Sequence, residues 1–304
     1  MVFNGKRVVN AGGAQTTVED IKETNTYNAF LPMVHLKHNF NERTIVRAAF
    51  TRSFARPDFN SLNPGTIVSE IANTITEGNT ELKPTFSNNL DLMIDYYFKD
   101  VGAFTVGGFY KKLSHVIYDN QSVVELNNRN YILSRPENLE SAWVAGFELG
   151  FSKRFSGLPG VLGKMGFEGN YSFVDSKVAI PQFENGKKTG EISSTLPKQA
   201  KNIFNTILFY EDNSLMLRVA GNYKGNYLNV IRSSAGPEHY QWFDKNFTVD
   251  FSAAYSFTPA LRAFLELNNM TNEPNRFYHG DKKRVESLTY NSFRGQIGIN
   301  FQIK

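Results

Sequence analysis

Phe247-Thr248-Val249-Asp250-Phe251-Ser252-Ala253-Ala254-Tyr255-Ser256-Phe257 decides how this chain is read. Phe247, Val249, Phe251, Ala253, Tyr255 and Phe257 fall on one face of an extended chain, and Thr248, Asp250, Ser252, Ala254 and Ser256 on the other. Side chains that change character every second residue specify a strand with one apolar and one wet side. A strand needs roughly 9–11 residues to cross a tilted path through hydrocarbon, and this one has them.

The same pattern recurs along the chain. In 86–98, Leu90, Leu92, Ile94 and Tyr96 oppose Asn89, Asp91 and Asp95; in 215–224, Leu215, Leu217, Val219 and Tyr223 oppose Arg218, Asn222 and Lys224. The end repeats it, with Phe293, Ile297, Ile299, Phe301 and Ile303 against Arg294, Gln296, Asn300 and Gln302. Further strands are expected over 26–40, 43–56, 102–118, 141–155, 163–177, 200–211 and 260–270, although 26–40 and 200–211 carry apolar residues on both faces. Short connections at Asn41-Glu42-Arg43, Lys99-Asp100-Val101, 156–163, Glu211-Asp212-Asn213 and Thr258-Pro259 alternate with long loops near 57–85, 119–140, 178–199, 229–245 and 271–287. Tight turns on one side and long loops on the other are the layout of an outer-membrane barrel. The expected fold class is therefore all-β: a portion of an antiparallel transmembrane β-barrel of about eleven long strands, with no plug domain. An odd number cannot close antiparallel, and an unpaired edge in lipid is costly, so the chain reads as part of a larger barrel.

Composition agrees. Apolar residues make up 41% of the 304 residues, yet there are 26 Phe and 14 Tyr, and the mean hydropathy is −0.37. So many aromatics in so polar a chain suit strands with one greasy face better than a dry core. The 33 Lys and Arg barely exceed the 29 Asp and Glu and are scattered, so nucleic acid is not an expected partner. The short clusters Lys153-Arg154, Lys187-Lys188 and Lys282-Lys283-Arg284 read as solvated charge. The chain has no cysteine, which excludes disulfides and thiolate chemistry. Residues 1–15 hold no apolar signal core, so an export signal is expected upstream. Residues 1–25 are expected to be an outer-loop remnant or irregular, and 26–304 the barrel portion.

Several motifs carry a family resemblance. The segment Arg47-Ala48-Ala49-Phe50-Thr51-Arg52-Ser53-Phe54-Ala55-Arg56-Pro57-Asp58-Phe59, followed by Gly78-Asn79-Thr80-Glu81-Leu82-Lys83-Pro84, resembles TonB-dependent outer-membrane receptors, especially those of Bacteroidetes type. Gly108-Phe109-Tyr110-Lys111-Lys112, Ala145-Gly146-Phe147-Glu148 and Leu267-Asn268-Asn269-Met270-Thr271-Asn272 are similar to later family segments in the expected order. The resemblance implies a barrel of about 22 strands around a plug, of which this chain would be the C-terminal half. It also implies location in the outer membrane of a Gram-negative bacterium, with outer-membrane lipid around the wall. The expected partners are the plug and N-terminal barrel half, the TonB-ExbB-ExbD system, and an unknown small-molecule or glycan substrate. Uptake of a siderophore, vitamin or glycan would then belong to the complete receptor. The alternatives are a surface barrel that binds without transporting, or a non-functional truncated fragment.

Candidate binding residues follow from the wet faces and the loops. Arg47, Asp91, Asp95, Glu148, Arg218, Asp250, Glu266 and Arg294 would face the lumen, and Arg52, of opposite parity, would stand near the outer rim. They would either contact plug, water and each other or steer an anionic substrate. Tyr240, Trp242 and Tyr278, beside His239 and His279, would either stack on a sugar or siderophore ring or pack as loop and interface aromatics. Trp143 reads as interface aromatic. His35 and His38 fall on opposite faces and cannot share a metal. No hydrolase elbow or zinc-protease motif is present, so neither an enzyme nor a cofactor is expected.

Overall fold

The computed structural model describes residues 2–10, 17–24, 26–184 and 187–302. Strands β1 (Val2–Asn10) and β2 (Thr17–Thr24) form a separate antiparallel hairpin inside segment 1–25. Then come β3 (Met33–Asn39), β4 (Thr44–Ala55), β5 (Thr66–Ser69), β6 (Thr74–Glu77), β7 (Thr85–Tyr97), β8 (Gly102–Leu126), β9 (Arg129–Arg154), β10 (Met165–Glu184) and β11 (Lys187–Ser194). They are followed by β12 (Asn202–Glu211), β13 (Leu215–Lys224), β14 (Tyr227–Arg232), β15 (Gln241–Phe243), β16 (Asn246–Thr258), β17 (Leu261–Asn268), β18 (Pro274–His279), β19 (Val285–Tyr290) and β20 (Arg294–Phe301).

The order β3-β4-β7-β8-β9-β10-β12-β13-β16-β17-β20 pairs antiparallel, neighbour to neighbour, as one curved wall. Each of these eleven strands overlaps a segment expected to be a strand, including 26–40 and 200–211, whose alternation is poor. The wall is open: among the described residues no pairing joins β3 to β20, and all seven residues of β3 are exposed.

Register carries the two-sidedness across strands. Ile94 sits opposite Val46 and Val106, whereas Asp95 sits opposite Ile45 and Thr105. Leu92 is 53% and Ile94 42% exposed, while Asp95 is 5% exposed. Among the described residues none covers these apolar side chains, as a hydrocarbon-facing surface requires. Cross-strand aromatic pairs reinforce that face, Phe204 with Tyr223 at 4.9 Å and Phe147 with Phe173 at 5.5 Å between ring centroids.

Side chains that imitate a backbone turn close the short ends. Asn41 Oδ1 accepts from the N–H groups of Arg43 and Thr44 at 2.9 and 2.8 Å, and Thr258 Oγ1 from those of Ala260 and Leu261 at 3.2 and 3.1 Å. Asp212 accepts from the N–H groups of Ser214 and Leu215 and from the Tyr210 hydroxyl, and these bonds hold its carboxyl well below the usual range.

The long side differs from the loops expected there. Segment 119–140 is not a loop: β8 and β9 run on as one hairpin, 25 and 26 residues long. Its tip, Asn127-Asn128, has both φ values positive, at 54° and 57°, the geometry of a two-residue turn that matches strand twist. His115, with φ 54°, interrupts the pairing between Ser114 and Val116 without shifting the register, and marks where the hairpin leaves the wall. The other long connections also carry strands: β5 and β6, β11, β14 and β15, and β18 and β19. The first wall strand begins at Met33 and not at 26, and a 3-10 turn, Gly160–Lys164, precedes β10.

Candidate functional site

The strands on the long side build a cap. β6 pairs parallel with β9 (Thr74 opposite Ile132), and β14 pairs parallel with β8 (Ile231 opposite Asn120). Pairings β5–β6, β8–β9, β14–β15, β15–β18 and β18–β19 extend this to β5-β6-β9-β8-β14-β15-β18-β19. Beneath it lies a dry cluster of Tyr118, Leu139, Val178, Ile180, Leu228, Ile231 and Tyr240, with Trp242 packed against it. Ile180, Leu228 and Ile231 are fully buried. Burial pushes the Tyr118 phenol up, so it stays neutral and donates to Glu137 at 3.2 Å. A dry core within outer connections gives them one fixed shape.

The motif at Gly78 docks this cap. A Cβ on Gly78 would lie 2.4 Å from the Asn63 carbonyl oxygen, so only glycine permits the close approach. Asn79 donates to the Pro136 carbonyl at 3.1 Å, Asn138 exchanges bonds with the Lys83 backbone, and Leu82 is buried. Gly78→Val is expected to undock residues 57–84 at a cost of about 1–3 kcal/mol. The check is limited proteolysis, with cleavage in that segment several times faster than in the unsubstituted protein.

A cleft of about 550 Å³ opens between the docked segment and the hairpin, lined by Asn60, Asn63, Glu77, Asp119, Gln121 and Arg135 among others. Arg135 Nη1 bonds Glu77 at 3.1 Å, while its Nε is buried with no hydrogen-bond partner. The neighbouring Asn120 Oδ1 is likewise buried and unpartnered. Amides, carboxylates and a half-satisfied guanidinium in one concavity can hold a polar ligand. None of these residues was singled out in the sequence. Glu77 and Arg135 are far apart in the chain and meet only through the parallel β6–β9 pairing, so no local motif marked them.

Beside it, Arg232 donates from Nε to Gln121 at 3.1 Å and reaches the His279 ring at 3.4 Å and Glu286 at 3.8 Å. Burial, then the Arg232 charge, lowers the His279 pKa, with Glu286 opposing. The folded cap therefore favours the neutral form of His279. Its contribution to stability is present in full above the unfolded value near 6.5 and lost as pH falls toward the lowered folded value. Acidification from pH 7.5 to 5 is expected to lower the amide protection factors (exchange corrected for its intrinsic pH dependence) in β15, β18 and β19, and His279→Gln to lessen that dependence.

The expected site residues divide into two groups. Tyr240 and Tyr278 are buried at 2% and 3% exposure, Trp242 lies opposite Tyr278, and Gln182 donates to the Tyr240 hydroxyl at 2.8 Å. The structure brings these three together, with their rings engaged in packing. The lumen candidates share one face but do not converge. Arg47 pairs with Asp95 at 2.5 Å, Arg218 reaches Glu168 at 3.9 Å, and Glu148 is exposed opposite Gly107 and Ser172. Asp250 accepts from the Asn269 N–H at 2.8 Å and from Asn222 at 3.3 Å, which fixes the Asn269 turn. Arg52 lies on the lipid-facing side, its guanidinium 5.3 Å from the centre of the Phe86 ring. Among the described residues no cluster of three metal-ligating side chains occurs.

Residues 5–270 match the family model described as TonB dependent receptor-like, beta-barrel. The chain belongs to the TonB-dependent receptor β-barrel family. Membership places it in the outer membrane of a Gram-negative bacterium. Among solved structures it is similar to a variant of the ferric enterobactin receptor PfeA of Pseudomonas aeruginosa, at 16% identity and TM-score 0.58, covering 92% of this chain and 40% of that one. It is also similar to the ferric-catecholate import receptor Fiu of E. coli K12, at 13% identity and TM-score 0.61, covering 95% and 37%. The copper transporter OprC matches at 13% identity and TM-score 0.62, covering 97% and 42%. At these identities the likeness is one of fold. The chain spans about 40% of the length of the receptors it matches. No curated protein matches it.

Proposed function

We propose that this wall and cap are the C-terminal portion of an importer that takes up a siderophore, vitamin or glycan with energy delivered by TonB-ExbB-ExbD. The plug and the remaining strands would complete the barrel across the open edges of β3 and β20. The observation that carries this reading is a rigid polar-clefted cap built on a wall with one wet and one greasy side. A cap without a dry core would not hold a cleft, and a wall without a wet side would not line a path. Ligand would meet the cleft at Glu77, Asp119 and Arg135 before the lumen residues Arg47, Glu148 and Arg218. No catalytic step is part of this reading.

The test is uptake by cells making the assembled receptor. The probes are iron-loaded catecholate and hydroxamate siderophores, cyanocobalamin and labelled malto-oligosaccharides, each with and without collapse of the proton-motive force. One probe is expected to accumulate only in energised cells. Arg135→Gln should cut its binding by about 10–100-fold, the value of a charged hydrogen bond. Energy-independent entry of every probe, or none at all, overturns the proposal.

A further inference from the structure

The cap has a dry face and a wet one. Ile75, Asn120, Ile231, Tyr240 and Tyr278 are all buried, at 8% exposure or less. The next residue in the chain is polar in every case: Thr76, Gln121, Arg232, Gln241 and His279. In extended chain it turns to the opposite side, away from the dry cluster.

Contacts join these polar residues into a belt. Thr76 of β6 lies opposite Ser134 of β9. Gln121 donates to Ser134 Oγ at 3.3 Å and accepts from Arg232 Nε at 3.1 Å. Arg232 reaches the His279 ring at 3.4 Å and Glu286 of β19 at 3.8 Å, and Gln241 donates to Glu286 at 2.5 Å. Thr76, Gln121 and Ser134 also line the cleft, so the belt begins there. It crosses β6, β9, β8, β14, β15, β18 and β19, and six strand spacings make it roughly 29 Å long.

Charge along this path cancels locally. In the cleft Arg135 pairs with Glu77 at 3.1 Å and Asp119 with Lys198 at 2.8 Å, and on the belt Arg232 pairs with Glu286. Among the described residues that line the cleft, Arg135 is the one cation, against Glu77 and Asp119. An anionic ligand would have to break one of these pairs and would be repelled by the carboxylates. None of those lining residues is aromatic, so a flat conjugated ring finds no stacking partner there. Amides and hydroxyls both donate and accept. A sugar hydroxyl does the same, so it can join this network without leaving a group unpaired. Ile67, Pro136 and Val230 supply apolar surface for its C–H faces.

We propose that cleft and belt are one binding site for a linear, neutral oligosaccharide, and that they reject anionic ferric chelates. One end of the sugar chain sits in the cleft, and successive rings lie across the cap toward Glu286. The proposal rests on the importer reading and names the class of its cargo.

The test is equilibrium binding to the assembled receptor, extracted from the outer membrane in detergent. The probes are neutral malto-, cello-, xylo-, manno- and chito-oligosaccharides from disaccharide to hexasaccharide, beside an iron-loaded tricatecholate and cyanocobalamin. One sugar series is expected to bind, at least about tenfold tighter as hexasaccharide than as disaccharide. Its affinity should change less than about twofold between roughly 0.05 and 0.5 M salt, since screening does not act on a neutral ligand. Gln241→Ala/Glu286→Ala should weaken the hexasaccharide about tenfold and abolish its advantage over the disaccharide. Gln241→Glu/Glu286→Gln, which exchanges the two groups, should restore that advantage and so separates lost hydrogen bonds from lost folding. Salt-sensitive binding of the tricatecholate, equal affinity for short and long sugars, or no binding by any series overturns the proposal. Energised uptake of a chelate would in that case still uphold the importer reading. Oligosaccharide binding without energised uptake would overturn the importer reading and leave this site standing.

Discussion

Leu92→Arg is expected to block assembly of the barrel, while Asp91→Arg, one residue away, leaves assembly intact. Leu92 lies midway along β7, with Ala48 and Gly108 as outward neighbours. It is 53% exposed although apolar, because hydrocarbon and not protein is its solvent. An arginine at that depth on the lipid face costs about 2–4 kcal/mol. Asp91 points to the lumen, opposite Ala49 and Phe109, where water solvates either charge. The measurement is heat-modifiable gel mobility of protein recovered from outer membranes. Leu92→Arg should leave the folded band strongly depleted, and Asp91→Arg should leave it near the unsubstituted level. Equal behaviour of the two variants would mean that the faces are assigned wrongly or that neither meets lipid.

That comparison works because alternation was the part of the fold legible in the sequence. Leu90, Leu92 and Ile94 against Asn89, Asp91 and Asp95 is a local pattern, and a strand imposes it without help from distant residues. Nine such segments were readable from alternation, 26–40 and 200–211 were expected strands although apolar on both faces, and all eleven contribute a strand to the wall. The shared lumen face of Arg47, Asp95, Glu148, Arg218 and Asp250 was readable for the same reason.

The cap was far less legible. Asn127-Asn128 between Glu125-Leu126 and Arg129-Asn130-Tyr131 is a local hairpin signal, and reading it would have replaced the loop 119–140 by the long hairpin. The parallel pairings of Ile231 with Asn120 and of Thr74 with Ile132 leave no such trace, because they join segments distant in sequence. Tyr240 and Tyr278 show the consequence. A loop aromatic in sequence is equally suited to stacking on a ligand and to filling a core, and only the dry cluster around Ile180 and Leu228 decides for the core. Arg135 and Glu77 were invisible for the same long-range reason.

Ile231→Asp should destroy the cap and leave the wall standing. Ile231 is fully buried among Tyr118, Leu139, Val178, Ile180, Leu228 and Tyr240, and none of these packs against the lipid face of the wall. Truncating a buried aliphatic side chain costs about 2–5 kcal/mol, and an unpaired buried carboxylate adds to that. Since β14 reaches the hairpin β8–β9 by only two paired residues, Ile231 with Asn120 and Arg232 with Gln121, the loss of packing there frees β14 and with it β15, β18 and β19. The wall pairs are independent of this contact and keep their register. Gel mobility should therefore stay that of the folded barrel, while trypsin gains access to Arg232, Lys245 and Arg276. Ligand binding at the cleft should fall at least about tenfold, because Gln121 loses Arg232 and the cleft wall loses its support. The exposed Tyr290→Ala in β19 supplies the contrast, with no change expected in either readout. Retained cleft binding in Ile231→Asp would show that the hairpin and the docked segment at Gly78 hold the cleft without β14, and that the cap core serves the outer surface alone.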